Sequence, residues 1–151
     1  MGWQIVSPVF IREVCNMINA INVPEQIVQP GQNVIFASDP IKTNCSVRHS
    51  AGSGLFSIRK PGLYNVFFQA NAVATVAAQD VQIGLEVSGE SIGNALAHDT
   101  LTAIGDYRSI SIMTVIKICD CGDVPVVVTV GNLAEEPVTL ENASLVIERI
   151  G

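Results

Sequence analysis

The chain of 151 residues is 48% hydrophobic but only 15% charged, and 14 acidic against 8 basic side chains leave a net charge of −6. A soluble domain ordinarily carries about 25% charged residues, so this surface is short of charge, and an acidic chain with scattered cations is not built to read a phosphate backbone. Apolar runs such as Val124 to Val128 fall well short of the roughly 18 residues of a spanning helix, so no nucleic-acid or membrane partner is expected, and apolar surface buried between subunits accounts for the composition.

The N-terminal segment reads differently from the rest. Met1-Gly2-Trp3-Gln4-Ile5 has no basic stretch leading into a long apolar one, and Val6 stands where a myristoylation signal needs Ser or Thr, so synthesis in the cytoplasm is expected. Ser7-Pro8 fits an N-cap followed by Pro at the first helical position. Phe10, Val14, Met17, Ile18 and Ile21 then recur at helical spacing. This predicts a short amphipathic helix over about 8–20, stopped by Pro24. Residues 1–24 thus read as an extension that packs in an oligomer or attaches the chain to a partner, ahead of one domain over 25–151.

From Val23 onward the apolar period is two. Val34–Ser38, Ser46–Ser50 and Leu55–Arg59 are short strand candidates, separated by Pro30-Gly31 and by Ala51-Gly52-Ser53-Gly54. Pro61-Gly62 opens a long strand with Tyr64, Val66, Phe68, Ala70 and Ala72 on one face and Asn65, Phe67, Gln69 and Asn71 on the other. Val81 to Val87 alternates likewise, and Ser88-Gly89-Glu90 turns it into Ser91-Ile92. In Tyr107–Ile118, Ile110, Ile112, Ile116 and Ile118 share a face, with Ser109, Ser111, Met113, Val115 and Lys117 opposite. Cys121-Gly122-Asp123 turns the chain into the alternating valines of 124–130, and a last strand spans about Ala143 to Ile150. Roughly eight or nine strands with almost no helix predict an all-β sandwich. The segments after Ala74, around Ala95–Asp106 and at Ala134–Pro137 are candidate recognition loops.

Chemistry-bearing constellations are sparse. A cupin-like metal enzyme needs several His and a carboxylate converging in the barrel, whereas His49 and His98 are isolated in sequence. Cys119 and Cys121, flanked by Asp120 and Asp123, are the weak candidates for a soft metal. Cys-x-Cys is not the usual knuckle, and on a strand the two read first as small hydrophobes sharing a face, then as disulfide or redox cysteines. A Ser–His–Asp set could be assembled on paper from Ser50, His49 or His98, and Asp99, but no nucleophile elbow is present. No phosphate loop or local carboxylate cluster stands out. A non-enzymatic protein without a cofactor is the expectation.

The order of these features resembles the complement globular-head and tumour-necrosis-factor-like jelly roll. Gly62-Leu63-Tyr64-Asn65-Val66-Phe67-Phe68 resembles that family's G-x-Y-x-(apolar)-x-(aromatic) strand, and Gly84–Ile92 its hairpin, with Ser88-Gly89 in place of Asn-Gly. Cys121-Gly122-Asp123 is similar to the Gly-Asp turn before its penultimate strand, and Ala143–Gly151 to its closing strand. The resemblance covers about residues 33–151. It implies a double-sheet jelly roll forming a tight homotrimer. The second face of the long strands, where Phe67, Met113 and Val115 stand among polar residues, is then the candidate subunit interface, with Tyr64 near the start of its strand in reach of a neighbour. Lack of a Gly-X-Y stalk and of a secretion signal favours a phage or prophage virion protein, held to a capsid or tail protein through residues 1–24. The alternatives are a module binding a host glycan or protein, and display on a bacterial cell or spore surface.

Overall fold

The computed structural model describes residues 17–43, 46–119 and 124–151. Over these residues the chain forms eleven strands: β1 (Met17–Asn22), β2 (Gln26–Val28), β3 (Ser38–Lys42), β4 (Val47–His49), β5 (Phe56–Ile58), β6 (Gly62–Val73), β7 (Gln79–Val87), β8 (Glu90–Leu101), β9 (Tyr107–Ile118), β10 (Val126–Asn132) and β11 (Val138–Arg149). Each follows from the alternation of its side chains, because a strand sends successive residues to opposite faces. On β9 every second residue from Ile110 to Ile118 is buried and those between are exposed.

The strands make two antiparallel sheets. One has the order β3-β1-β11-β6-β9, with β2 also paired to β11; the other has the order β4-β5-β10-β7-β8. The chain crosses between the sheets at β3–β4, β5–β6, β6–β7, β8–β9, β9–β10 and β10–β11, which is jelly-roll connectivity. Between the sheets lies one core. Phe36, Phe56 and Phe68 meet edge-on within it, Phe36 lying 5.4 Å from Phe56 and 6.4 Å from Phe68 between ring centroids. The β7–β8 connection is a two-residue hairpin with φ of 51° at Ser88 and 82° at Gly89, the pair of positive values that a type I′ turn requires.

The N-terminal helix is corrected where it can be observed. Met17, Ile18 and Ile21 lie on β1, whereas Phe10 and Val14 lie outside the described residues. β1 pairs with β11 on one side, from Met17 opposite Glu148 to Asn22 opposite Ala143, and with β3 on the other. Ile18, Ala20 and Asn22 point inward, and the Asn22 amide donates to the Pro24 carbonyl at 3.0 Å. The six residues Met17–Asn22 satisfy a period of two as well as one of 3.6, and two flanking strands decide between them by taking up their backbone hydrogen bonds. The domain therefore includes Met17–Asn22, and a boundary at residue 24 falls on the wrong side of a central strand.

Three further bounds shift. Within the candidate Val34–Ser38, Phe36 makes only an isolated bridge to Ser53, the preceding Asn33 bridges Gly131, and β3 starts at Ser38. The candidate loop Ala95–Asp106 is half strand, since β8 runs to Leu101. The closing strand starts at Val138 rather than Ala143, because a register shift between Glu141 and Ser144 lets it continue past an irregularity.

Removal of residues 1–24 deletes β1 and leaves β3 and β11 without their shared neighbour. That truncated chain is expected to be insoluble or to lack a cooperative melting transition by circular dichroism. A soluble, cooperatively melting truncation would show that β1 is dispensable to the sandwich.

Candidate functional site

The outer face of the β3-β1-β11-β6-β9 sheet carries a strip of exposed apolar side chains. In the β6–β9 register Phe67 stands opposite Met113 and Asn65 opposite Val115. Met113 is 76% exposed and Val115 55% exposed, while Phe67 is half-buried between its neighbours. Leu63, opposite Lys117, extends the same apolar strip and escaped the sequence reading, where it stood as one apolar residue beside a turn. The surrounding side chains are polar: Asn65, Gln69, Asn71, Ser109 and Ser111, with Lys117 opposite Leu63 and Glu148 opposite Asn65. At its far end the face becomes a hydrogen-bonded group. The Asn71 amide donates to the Tyr107 hydroxyl at 3.2 Å, and Ser109 donates to Asn71 at 3.0 Å. A hydrogen bond with Glu141, followed by desolvation, raises the Tyr107 hydroxyl above its ordinary pKa.

Tyr64 does not belong to this face. It is fully buried in the core, and its hydroxyl donates to the Lys60 carbonyl at 2.6 Å. Burial raises its pKa, against smaller lowering by Ser46 and Arg149. A side chain with no surface cannot meet a neighbouring subunit, so the assignment of Tyr64 to an interface is corrected to one in the chain's own core.

His49 is also buried, with its side chain 0% exposed, and its carboxylate partner is Asp39 rather than Asp99. Nδ1 lies 2.6 Å from Asp39 Oδ1, and Nε2 lies 2.7 Å from the Ser53 carbonyl oxygen. A carbonyl only accepts, so Nε2 carries a proton and donates it there. The ring stacks on Phe56 at 4.2 Å and meets Phe36 edge-on. With both nitrogens committed and the side chain fully buried, His49 has no free position for a metal or for a serine hydroxyl. It fastens β4 to β3 across the gap between the sheets. His98 is exposed on β8 and hydrogen-bonded to Asp80. Among the described residues no group of three or more His, Cys, Asp or Glu side chains converges.

Cys119 is disulfide-bonded at the exposed end of β9, and Cys15, Cys45 and Cys121 lie outside the described residues. A disulfide sulfur offers no thiolate, so Cys119 is not a metal ligand in this state, and its exposure excludes the reading of a small buried hydrophobe.

Two of the candidate loops are tied into one tip. Gly105 donates to the Ala74 carbonyl at 2.9 Å, Ala74 to the Asp106 carbonyl at 2.9 Å and Ala78 to the Thr102 carbonyl at 3.0 Å. The Asp106 carboxylate accepts from Thr102 Oγ1 and from the Thr102 and Ala103 amides. These bonds, Thr102 first, hold it below the usual carboxylate pKa. Ile104, 72% exposed, and Val76 project from this braced tip. Among the described residues no helix is long and apolar enough to cross a membrane.

No family model matches the chain, and no curated protein matches it. Solved structures do. The globular domain of a zebrafish complement 1qA protein is similar at 17% identity, covering 90% of this chain and 98% of that chain with a TM-score of 0.69. The Eiger TNF of S. frugiperda is similar at 10% identity, covering 90% and 94% with a TM-score of 0.70. Murine APRIL is similar at 11% identity, covering 89% and 99% with a TM-score of 0.68. At these identities the likeness establishes the fold, a jelly roll of the complement-head and TNF type.

The His49–Asp39 pair gives a stability test. Removing one member of a buried pair strands the other, at a cost of about 3 kcal/mol. His49→Ala and Asp39→Ala are each expected to lower unfolding free energy in urea by about that much, with the double variant well short of the sum. Additive losses would show that the two side chains act independently.

Proposed function

We propose that the chain is a non-enzymatic homotrimeric interaction module carried on the surface of a particle, in the first instance a phage or prophage virion, as a fibre, spike or decoration protein. The observation that carries self-association is the Phe67, Met113 and Val115 strip, with Leu63, exposed on a sheet face where water is otherwise met by polar side chains. Burying a side chain of this size stabilises by about 1.5–3 kcal/mol, and a second and third copy of the same face supply that burial without a new partner. The low charge content of the whole chain supports the same reading. So does the jelly-roll fold, whose resemblance first suggested a trimer. Attachment to the particle falls to residues 1–16, which include Phe10 and Val14, since Met17–Asn22 are taken up by the sheet.

A second reading is favoured by the braced tip. Val76, 43% exposed, and Ile104, 72% exposed, sit at the turns of two cross-bonded loops. Rigid loops with exposed apolar ends suit contact with a host surface protein or glycan. The two readings are compatible, because the tip is separate from the β6–β9 strip.

Light scattering on a sizing column is expected to give three times the 16.0 kDa chain mass, and Met113→Lys with Val115→Lys to give the monomer with its circular dichroism intact. A parent chain that stays monomeric at micromolar concentration overturns the trimer. Mass spectrometry of purified particles is expected to find the chain, and to lose it when residues 1–16 are removed. Ile104→Asp should then leave mass and incorporation unchanged while abolishing adhesion to host cells.

A further inference from the structure

At the edge of the sandwich farthest from Met113, the seam between the sheets opens into a cavity of about 450 Å³. Three separate segments line it. Lys42 reaches it from the end of β3, Arg48 and Ser50 from β4 and its exit, and Ser53, Leu55 and Ser57 from the turn into β5 and from β5 itself. Arg48 stands opposite Ser57 in the β4–β5 register, so cation and hydroxyl are side by side on the outer face. Behind the lining, the buried His49 side chain is fixed by its bonds to Asp39 and Ser53 and by stacking on Phe56.

The electrostatics are unlike those of the molecule as a whole. The chain has almost two acidic residues for each basic one, yet no carboxylate lines this cavity and two cations do. The nearest carboxylate, Asp39, lies 3.7 Å from the Lys42 ammonium. It is already engaged by the His49 ring, 2.6 Å from Nδ1. The charged side chains that line the cavity itself are Lys42 and Arg48. Arg48 forms no ion pair or hydrogen bond among the described residues, and neither do the hydroxyls of Ser50 and Ser57. Ser53 Oγ accepts from the Leu55 amide at 3.0 Å and keeps its own proton to donate.

From this we infer that the seam cavity is a binding site for an acidic sugar unit, one carrying a carboxylate or a sulfate. The guanidinium fork of Arg48 and the ammonium of Lys42 take the anionic group. The hydroxyls of Ser50, Ser53 and Ser57 exchange hydrogen bonds with the sugar hydroxyls, and the exposed side chain of Leu55 offers an apolar wall to a ring face. The volume suits a ligand of that size, since small-molecule sites span about 300–1,000 Å³. The site lies at the opposite sheet edge from the Met113 strip, so it stands whether or not the chain is a trimer.

The test is calorimetric titration of the full chain with glucuronic acid, N-acetylglucosamine 6-sulfate, neutral N-acetylglucosamine and sodium sulfate. Saturable binding on the order of 1 mM or tighter is expected for at least one of the two acidic sugars, with none for the neutral sugar and weaker binding for sulfate. Arg48→Ala and Lys42→Ala should each reduce affinity about tenfold, the loss of one charge-assisted hydrogen bond. Arg48→Lys should recover part of it, and added salt should weaken it. Both positions are at the surface, so melting temperatures should not move; amide shifts at Ser50 and Ser57 in the unaltered chain locate binding without any substitution. No saturable binding by either acidic sugar, equal binding of neutral sugar or sulfate, or affinities indifferent to Arg48 and Lys42 would overturn the assignment.

Discussion

The molecule depends on one constraint: two sheets share a single dry interior, and every residue is sorted by which side of its strand it occupies. Tyr64, Val66, Phe68, Ala70 and Ala72 follow that rule along β6, as do Ile110, Ile112, Ile116 and Ile118 along β9. A slip of one residue in either strand would send its whole apolar set to the wrong side. Strict sorting also gives exceptions their meaning. Met113 and Val115 occupy positions that the alternation assigns to water, on a strand that otherwise obeys it. An apolar residue at such a position adds nothing to the core, which is why this strip carries the proposal of self-association.

The same constraint leaves the sandwich open along its sides, where backbone ladders end and the interior comes near solvent. Polar pairs close both. Arg108 on β9 lies 3.4 Å from Asp99 on β8 at one side, in an exposed and weakly stabilising pair. At the other side the buried His49–Asp39 pair joins β4 to β3. Burying such a pair costs desolvation that its mutual attraction only offsets when the remaining hydrogen-bonding positions are filled. Here the Ser53 carbonyl fills the other ring nitrogen. The arrangement is directional in a way that an apolar plug would not be, and it fixes which edge strand of one sheet faces which of the other. It also leaves a rigid support behind Arg48 and Lys42.

Much of this was legible in the sequence, and what was not has identifiable causes. The long strands β6, β7 and β9 were readable because their alternation runs for nine to twelve residues between strong turn signals. Ser88-Gly89 announced its hairpin because few residues tolerate the backbone it needs. Short segments fared worse. In Met17–Asn22 two periods fit equally well, and only pairing with strands distant in sequence selects one. Tyr64 was placed on the inner face correctly and then assigned to the interface because it lies near the start of its strand, whereas it is buried and its hydroxyl finds the Lys60 carbonyl inside. The exposed strip was visible as misplaced apolar residues. The seam cavity was not visible, because Lys42, Arg48 and Ser57 belong to three strands drawn from both sheets, and no local spacing records that they meet.

The distribution of these surfaces is itself a consequence of the fold. In this strand order β9 and β3 are opposite edges of one sheet, so the apolar strip and the cationic seam are as far apart as the sheet allows. The six crossings between sheets confine their connecting loops to the two ends, and the tip formed by Ala74–Ala78 and Thr102–Asp106 occupies one of them. A sheet face, a side seam and a loop tip are thus held in fixed relation by one core. Their exposed residues can change without repacking the interior, because they are those turned outward. That separation lets such a sandwich vary what it contacts while the sorting that makes it fold stays the same.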